Sequence, residues 1–211
     1  MVIQEKKTIG EIRICVNLRK LNDVCLHDPF PTPFTYEVLE NVGGQEVYSF
    51  ADGFLGYHQI RIAPEDRHKT TFTTEGGCYQ YTVMPFGLKN APVIFSRVVI
   101  ATFKEYIHQF LEAYFDEWTI FGLLKDHVGN LRMMLDRCRK YEISLNLKKC
   151  IFGVPFGILL GHIVGKQGLM VDPAKIAIIV NLAPPSSVKR LRTTLGIQGI
   201  TKFLLRDTLR S

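Results

Sequence analysis

Three acidic side chains follow apolar, strand-like stretches of the chain. Asp52 ends the stretch VYSFAD, and Asp116 and Glu117 lie between the stretches FLEAYF and WTIFG. Carboxylates at strand ends or in tight hairpins can converge on one point while rigid backbones hold them in place. Two Mg²⁺ ions about 3.5–4 Å apart need such hard oxygen ligands when they catalyse phosphoryl transfer. Aspartate is also a common turn residue, so from spacing alone a purely structural interpretation stays open.

The composition is that of a folded, basic protein. Hydrophobic residues make up 46% and charged residues 22% of the 211 residues, which favours a globular chain over a disordered one. Lysine and arginine number 26 against 20 acidic residues, which gives a net charge of +6. Such a surplus suits a polyanionic partner such as nucleic acid, because basic side chains neutralise phosphates and release counterions. Many basic proteins bind no nucleic acid, so the charge alone decides little.

The cysteines and the N-terminal segment bear on the cellular compartment. The five cysteines include no C-x-x-C pair, so neither a zinc knuckle nor a disulfide framework is predicted. The first residues, MVIQEKKTIGEIR, hold no apolar stretch long enough for a secretory signal, and no segment approaches a membrane span. We therefore expect a soluble, intracellular protein without a membrane partner. A cytoplasmic, nuclear or organellar setting and any oligomeric state remain open.

Strands and short connecting elements are predicted for the N-terminal part of the chain. Alternating apolar residues predict a strand over residues 12–18, and the prolines of residues 29–33 predict an extended connector. A short helix is predicted over residues 36–41. A strand predicted over residues 46–50 leads straight into Asp52.

The middle of the chain carries a hairpin pattern followed by a helix pattern. TTFTT and YQYTV are β-rich stretches joined around Gly76 and Gly77, which is typical of a hairpin. Asn90 is then predicted to cap a helix that has Pro92 in its first turn. Its apolar stripe recurs with a period of about 3.6 residues. The stripe consists of Ile94, Phe95, Val98, Val99, Thr102, Phe103, Tyr106 and Ile107.

The C-terminal part is predicted to continue with a helix, strands and further helices. The helix is predicted over residues 126–141, and strands over residues 144–152 and 156–164. Asp172 and Pro173 are predicted to start another helix, and a basic helix is predicted to follow from Ser187. This order of elements predicts an α+β fold with a small helical appendage.

Nine sequence blocks resemble those of reverse transcriptases from gypsy-type LTR retrotransposons. The blocks are RICVNLRKLN (13–22), the proline connector (29–33), FADGFLGYHQI (50–60), KTTFTT (69–74), MPFGLKNAPVIF (84–95), YFDE (114–117), LNLKKCIF (145–152), LGHIV (160–164) and GLMVDPAKI (168–176). They occur in the order and with the spacing of that family. One such match arises easily by chance, but nine in order do not.

The resemblance implies an α+β reverse-transcriptase fold with a ferredoxin-like palm built on an antiparallel sheet. It implies partial fingers at residues 1–48 and 61–91, a palm at 49–60 and 92–166, and a partial helical thumb at 167–211. The match is expected to begin within the fingers and to end past the first thumb helices. The implied activity is RNA-directed DNA polymerisation with two Mg²⁺ ions, for which Mn²⁺ is a possible substitute. The implied partners are an RNA or DNA template with its primer and deoxynucleoside triphosphates (dNTPs).

The resemblance also assigns catalytic and nucleotide-binding roles. Asp52 and Asp116 match the family aspartates that ligate both metal ions, and Glu117 takes the place of the second aspartate of the hairpin. Tyr57 matches an aromatic residue that would crowd a ribose 2′-hydroxyl, although a tyrosine of the core is an alternative interpretation. The residues implied to contact the nucleotide are Lys6, Arg13, Leu55, Gly56, Tyr57 and Phe86. Outside the family match, Lys6 and Arg13 could be ordinary solvated charges.

A further set of residues is implied to contact nucleic acid. It comprises Cys15, Asn17, Tyr114, Phe115, Leu160, Gly161, Lys189 and Arg192. Leu160 and Gly161 match a hairpin that grips the primer end, for which a plain β-turn is the alternative. Lys189 and Arg192 lie in the basic segment that resembles part of the thumb, where a solvated helix face is an equally good interpretation.

Three departures from the family pattern leave a second hypothesis open. Glu117 replaces an aspartate, Asn17 replaces a family aspartate near the template, and GITKFLL stands where relatives read like YYRRFI. The extra methylene of glutamate moves its carboxylate by roughly 1 Å, and a misplacement of that size can cost about 10²-fold in rate. The alternative to a polymerase is therefore a catalytically inactive, nucleic-acid-binding remnant of a retroelement polyprotein. A chain that does not fold stably, because shortened fingers expose strand edges, is the third possibility.

Overall fold

A computed structural model describes residues 2–5, 12–31, 33–54, 56–171, 173 and 177, with the backbone alone for residues 2–5, 12–15 and 171. The strands are β1 (Val2–Glu5), β2 (Ile12–Cys15), β3 (Val47–Asp52), β4 (Phe72–Thr74), β5 (Gly77–Tyr79), β6 (Leu111–Tyr114), β7 (Glu117–Gly122), β8 (Ile151–Val154), β9 (Phe156–Leu159), β10 (His162–Gly165) and β11 (Gly168–Val171). The α-helices are α1 (Arg19–Val24), α2 (Thr35–Val42), α3 (Ala91–Phe103) and α4 (Leu124–Lys140). Two 3₁₀ helices span Gly56–Gln59 and Pro64–Thr70.

A four-stranded antiparallel sheet organises the described part of the chain. Its strand order is β6-β7-β3-β8. In the register of β3 with β7, Asp52 lies opposite Glu117 and Tyr48 lies opposite Phe121. Since side chains alternate between the faces of a strand, Tyr48, Phe50 and Asp52 share one face of β3.

Helices α3 and α4 cover the opposite face of this sheet. Ala51 of β3 and Trp118 of β7 pack there with Phe95 and Phe103 of α3 and Met134 of α4. Trp118, Phe103 and Met134 are each 0% exposed. Burying side chains of this size contributes about 1.5–3 kcal/mol each, so this cluster anchors the strands whose ends carry the acidic residues.

The face shared by Tyr48 and Phe50 is covered by a second layer. Helix α2 and the three-stranded sheet β11-β10-β9 provide this layer. The buried side chains between this layer and the central sheet are Val38, Leu39, Val42, Tyr48, Phe121, Leu159 and Val164. Gly157 of β9 allows the close approach, because a Cβ atom there would clash with the Phe50 ring. Asp52 lies beyond this layer, at the open end of the same face.

The connector before α2 is tied to the start of α3. The guanidinium of Arg97 donates to both carboxylate oxygens of Asp28, at 2.6 and 2.8 Å. Asn90 precedes α3 at the N-cap position, as predicted, but its side chain makes no cap bond. Its amide instead donates to the Leu26 carbonyl and its carbonyl oxygen accepts from the Asp28 backbone N–H.

Several predicted strands were wrong in extent. The strand predicted over residues 12–18 ends at Cys15, and α1 follows. The side chain of Asn17 accepts from the Arg19 backbone N–H at 3.2 Å, a local bond that competes with continued strand pairing. The second strand of the predicted hairpin ends at Tyr79, since the Tyr81 backbone N–H donates to the Thr70 hydroxyl.

Several later elements also differ in extent from the predicted ones. Helix α3 ends at Phe103, so the predicted continuation through Ile107 was wrong. The region predicted as a strand over residues 144–152 bridges only at Leu145 before β8 begins at Ile151. The single strand predicted over residues 156–164 is instead two strands, β9 and β10, joined by a turn. The helices predicted after Asp172 lie outside the described residues.

Ser49 and His127 form a buried polar pair behind β3. The hydroxyl oxygen of Ser49 lies 2.7 Å from Nε2 of His127 and accepts from the Gly153 backbone N–H at 3.0 Å. The described residues offer no hydrogen-bond partner to Nδ1 of His127. Burial lowers the pKa of His127 below its usual value, because a charged ring would lose water without gaining an acceptor.

This depressed pKa predicts a loss of stability in acid. Below about pH 6.5 His127 binds a proton in the unfolded chain but stays neutral in the native chain. The free energy of unfolding therefore falls as the pH falls. Urea denaturation at pH 7.5 and pH 5.5 should show a lower midpoint at pH 5.5. His127→Gln keeps a hydrogen-bonding side chain without titrating, and should show a smaller drop. Equal drops in the two proteins would contradict the prediction.

Over the residues that the structure describes, no helix combines the length and the apolar composition needed to span a bilayer.

Candidate active site

Two elements of the central sheet bring the three acidic residues together. Asp52 is the last residue of β3 and Glu117 is the first residue of β7, and the two are direct partners in the antiparallel pair. Asp116 lies in the two-residue turn between β6 and β7, and its carbonyl accepts from the Gly53 backbone N–H at 2.8 Å. Side chains directly opposite each other in such a pair have Cβ atoms about 4.5–5.5 Å apart. Asp52 and Glu117 are therefore adjacent across the sheet, and Asp116 directly precedes Glu117 in the chain.

The turn that carries Asp116 has a strained backbone. Phe115 adopts a φ of 53°, a left-handed backbone conformation that residues other than glycine rarely adopt. The indole N–H of the buried Trp118 donates to the Phe115 carbonyl at 3.1 Å and helps to hold the turn. Strain of this kind costs of order 1–3 kcal/mol and is found preferentially at functional sites.

The acidic residues act on one another electrostatically. The pKa of Glu117 is raised by burial and by the charges of Asp116 and Asp52, while Lys149 opposes the increase. Glu117 as a whole stays exposed, so the two neighbouring carboxylates act on it at short range while water still reaches the residue. Like charges directly opposite in a sheet repel, so a cation at this point would relieve the repulsion.

Lys149 supplies one such cation, although no local sequence pattern predicted this role. Its ammonium lies 2.9 Å from Oδ2 of Asp52, and the two side chains are 56% and 17% exposed. The segment that carries Lys149 is hydrogen-bonded to β3, because the Asn146 backbone N–H donates to the Asp52 carbonyl at 2.8 Å. Its position within the LNLKKCIF block was the available clue.

Tyr57 lies beside this acidic cluster on the 3₁₀ helix that follows β3. Its pKa is raised by burial and by the charge of Asp116, which places the phenol within the field of that carboxylate. Its ring contacts Phe86 at 5.2 Å and Phe95 at 6.1 Å between ring centroids. Gly56 permits this packing, because a Cβ atom there would lie 2.8 Å from the buried Phe95 ring.

Phe86 is brought to the same place from the loop before α3. The residue is 49% exposed and its ring also contacts His58, at 5.0 Å. The loop is held by Asn22, whose amide donates to the Gly87 carbonyl at 2.7 Å and whose carbonyl oxygen accepts from the Lys89 backbone N–H at 2.8 Å. Phe86 thus packs on Tyr57, whose phenol is affected by the charge of Asp116. The nucleotide-binding roles of Gly56, Tyr57 and Phe86 stay predictions.

The residues predicted to contact nucleic acid are more dispersed. Tyr114 stacks edge-on against Phe115 with ring centroids 4.8 Å apart, next to the acidic residues. Leu160 and Gly161 form the turn between β9 and β10, with φ values of 49° and 74°. Asn17 is exposed at the start of α1, where it bonds the Arg19 backbone.

Other predicted residues cannot be placed as side chains. Lys6, Leu55, Lys189 and Arg192 lie outside the described residues, and only the backbone of β2 is described for Arg13 and Cys15. The roles assigned to all these residues stay predictions.

The residues present fit a magnesium ion that also binds a substrate. In the part of the chain that the structure describes, no three His, Cys, Asp or Glu side chains are arranged to hold a metal ion by themselves. Mg²⁺ is usually bound by one or two carboxylates together with water and substrate phosphates rather than by a complete protein cage. Two aspartates next to a glutamate with a raised pKa offer hard oxygen donors and an excess of negative charge.

Comparison with known proteins places these residues in a family context. The family model described as "Reverse transcriptase (RNA-dependent DNA polymerase)" matches residues 4–195. The retrovirus-related Pol polyprotein from transposon opus of Drosophila melanogaster is 34% identical over 210 residues, or 98% of this chain and 21% of that polyprotein. The polyprotein from transposon gypsy of the same organism is 32% identical over 196 residues, or 92% of this chain and 19% of that polyprotein. The chain thus spans about a fifth of the length of these relatives.

Solved structures show the same fold. The foamy viral protease-reverse transcriptase in complex with double-stranded DNA matches with a TM-score of 0.84 at 21% identity, over 92% of this chain and 34% of that chain. The foamy viral protease-reverse transcriptase with an RNA/DNA hybrid matches with a TM-score of 0.78 at 20% identity, over 92% and 26% of the two chains. The predicted α+β palm and fingers fold is confirmed by these likenesses.

Proposed function

Because this chain belongs to the reverse transcriptase (RNA-dependent DNA polymerase) family, we propose that it is an RNA-directed DNA polymerase of the gypsy type. It would extend the 3′-hydroxyl of a primer on an RNA or DNA template with dNTPs. The observation that supports this most directly is the pairing of Asp52 with the hairpin of Asp116 and Glu117. The division into fingers (1–48, 61–91), palm (49–60, 92–166) and thumb (167–211) belongs to the same proposal.

In the proposed reaction the primer 3′-hydroxyl gives up its proton to solvent, and its oxygen forms a bond to the α-phosphorus of the dNTP. The bond from that phosphorus to the bridging oxygen breaks, and diphosphate leaves. Asp52 and Asp116 would hold two Mg²⁺ ions, or Mn²⁺ in their place. When bound, such ions lower the pKa of the attacking hydroxyl and neutralise the developing charge. Glu117 adds negative charge at the same point but has the longer side chain.

The neighbouring aromatic residues would select the substrate. Tyr57 lies near enough to Asp116 for that charge to raise its pKa, so a nucleotide on the acidic residues would meet the tyrosine ring. The ring would crowd a ribose 2′-hydroxyl and so favour deoxynucleotides. Its packing against Phe86 and the buried Phe95 leaves it little freedom to move aside. Phe86, which is 49% exposed, would contact the nucleotide on its open side.

Metal binding is expected to stabilise the folded chain. A ligand that binds only the native state at 100 times its dissociation constant adds about 2.7 kcal/mol, which raises the melting temperature of a domain of this size by several degrees. We expect such an increase with Mn²⁺, measured by differential scanning calorimetry. Asp116→Asn should lose most of it, whereas Asp66→Asn on the exposed 3₁₀ helix should keep it. Equal increases in the two variants would contradict a site at Asp116.

Glu117 supports a second candidate function, nucleic-acid binding without catalysis. Its carboxylate has a raised pKa and sits on a longer side chain than an aspartate in the same strand position. Under this candidate the basic chain binds a template–primer duplex, but the acidic residues do not organise the metal ions for reaction.

One experiment separates the two candidates. The purified chain is given a 5′-labelled DNA primer on an RNA template, all four dNTPs and either Mg²⁺ or Mn²⁺, and duplex binding is measured in parallel by fluorescence anisotropy. Polymerase function predicts both binding and primer extension. Binding without extension would support the inactive candidate, and the absence of both from a folded chain would contradict each of them.

A further inference from the structure

The side chain of Gln59 joins two backbone segments that are distant in sequence. Its carboxamide nitrogen donates to the carbonyls of Phe54 at 2.6 Å and Ser144 at 3.1 Å. Its carboxamide oxygen accepts from the Ser144 backbone N–H at 2.8 Å. One side chain thus makes three hydrogen bonds to backbone groups and uses both ends of its amide.

The first of these segments carries Tyr57. Gln59 ends the 3₁₀ helix Gly56–Gln59, and the Ile60 backbone N–H donates to the Tyr57 carbonyl at 3.0 Å. The bond from Gln59 to the Phe54 carbonyl closes the loop that contains this 3₁₀ helix onto the end of β3. The position of the Tyr57 ring relative to Asp52 therefore depends on a loop whose two ends are joined by Gln59.

The second segment carries Lys149. The Phe54 backbone N–H donates to the Ser144 carbonyl at 2.9 Å, and Leu145 bridges Gly53. The Asn146 backbone N–H donates to the Asp52 carbonyl, and the Lys149 backbone N–H donates to the Asn146 carbonyl at 2.9 Å. This chain of bonds leads from the Gln59 amide to the residue whose ammonium contacts Asp52.

We propose that Gln59 is a positioning residue that holds the Tyr57 loop and the Lys149 segment in one fixed arrangement, and that it thereby sets the affinity for deoxynucleotides and their selection over ribonucleotides. This inference rests on the proposed polymerase function. Gln59 acts through Tyr57 and Lys149 rather than by touching the substrate. Each of its bonds contributes about 0.5–1.5 kcal/mol net, which is enough to restrain a surface loop without deciding the stability of the fold.

Two substitutions at Gln59 test the proposal. Gln59→Met keeps the length and volume of the side chain but removes all three hydrogen bonds. Gln59→Glu keeps the shape but loses the N–H donors, so its carboxylate faces the carbonyls of Phe54 and Ser144. Gln109→Met, at an exposed glutamine in the turn after α3, is the matched control. Ser49→Ala removes a buried hydrogen bond from β3 and controls for a general loss of stability.

The expected result is a change in substrate selection that differs from a loss of stability. Both Gln59 variants should raise the KM for dNTPs about tenfold with a smaller change in kcat, and lower the preference for dNTPs over ribonucleotides about tenfold, less than the roughly 10²-fold effect of a full 1 Å misplacement. Ser49→Ala should lower the melting temperature and leave both quantities unchanged. Unchanged selection in both Gln59 variants would overturn the proposal.

A second measurement needs no catalytic activity. Amide hydrogen exchange should become faster in Gln59→Met at Ile60 and at Asn146, whose N–H groups bond Tyr57 and Asp52 rather than Gln59 itself. Faster exchange at both sites supports the coupling even if the native chain extends no primer, in which case the polymerase function alone fails. Exchange that changes at one of the two sites or at neither would overturn the coupling.

Discussion

Asp52→Asn is expected to lower nucleotide incorporation by at least about 10³-fold, the scale of losing roughly 4 kcal/mol of transition-state stabilisation. Asparagine has almost the same shape but carries no charge, so a hard cation loses its strongest donor. Asp52 is 17% exposed, lies opposite Glu117 and contacts Lys149, so its carboxylate is central to the charge of the site. The measurement is single-turnover extension of a DNA primer on an RNA template.

A surface ion pair provides the matched control for this prediction. Asp66 pairs with Lys69 on the 3₁₀ helix Pro64–Thr70, and neither residue belongs to the proposed active site. Asp66→Asn removes a carboxylate with a lysine partner, as Asp52→Asn does, and should leave incorporation within about twofold of the native rate because exposed ion pairs contribute little. If Asp52→Asn kept more than a tenth of the native rate, the metal-binding role of Asp52 would be wrong.

Glu117→Asp is expected to raise incorporation by about 10²-fold. The substitution removes one methylene and withdraws the carboxylate by roughly 1 Å, toward the position that the family pattern uses. Glu117 begins β7 opposite Asp52, so its backbone is fixed by the sheet and the side-chain length decides where the charge lies. The gain is measured as the rate of single-nucleotide incorporation with Mg²⁺ and with Mn²⁺.

The same substitution at a remote glutamate separates this effect from a general one. Glu75 lies exposed at the tip of the β4–β5 hairpin, and Glu75→Asp should leave the rate unchanged. Activity that appears only in Glu117→Asp would identify the native chain as the catalytically inactive remnant. A rate that falls in Glu117→Asp would show that the site has adapted to glutamate, against our account.

The placement of the acidic residues at strand ends could be predicted from the sequence, because it depends on the local pattern of apolar residues. Asp116 follows one apolar stretch and precedes another, and this pattern is sufficient to predict a hairpin with a carboxylate at its tip. Asp52 was predicted in the same way from the strand that precedes it. The family blocks added the chemistry, since the gypsy-type resemblance is confirmed by relatives of 32–34% identity.

Contacts between distant segments could not be predicted in this way. The carboxamide of Gln59 and the backbone of Ser144 are 85 residues apart in sequence, and the side chains of Lys149 and Asp52 are 97 residues apart. Neither pairing follows from periodicity, because each depends on the register of β3 with its neighbours. Gln59 and Lys149 both lie within blocks that resemble the family, but no local feature distinguishes them from ordinary polar residues.

The observed bounds of an element differ from the predicted ones where a contact with a distant segment sets the end of the element. Helix α4 begins at Leu124, two residues before the predicted start, where the Leu124 backbone N–H donates to the Glu46 carboxylate at 3.2 Å. Glu46 lies 78 residues away in sequence. The 3₁₀ helices Gly56–Gln59 and Pro64–Thr70 were missed because both are short and lack an apolar period.

The most direct test of the polymerase assignment compares the native chain with its Asp116→Asn variant. Both are purified as the full 211-residue chain, shown to melt cooperatively, and given a labelled DNA primer on an RNA template with dNTPs and Mg²⁺ or Mn²⁺. Our account predicts that the native chain extends the primer and that Asp116→Asn does not, while both bind the duplex. Extension by both proteins, or by neither, would contradict a working polymerase site centred on Asp116.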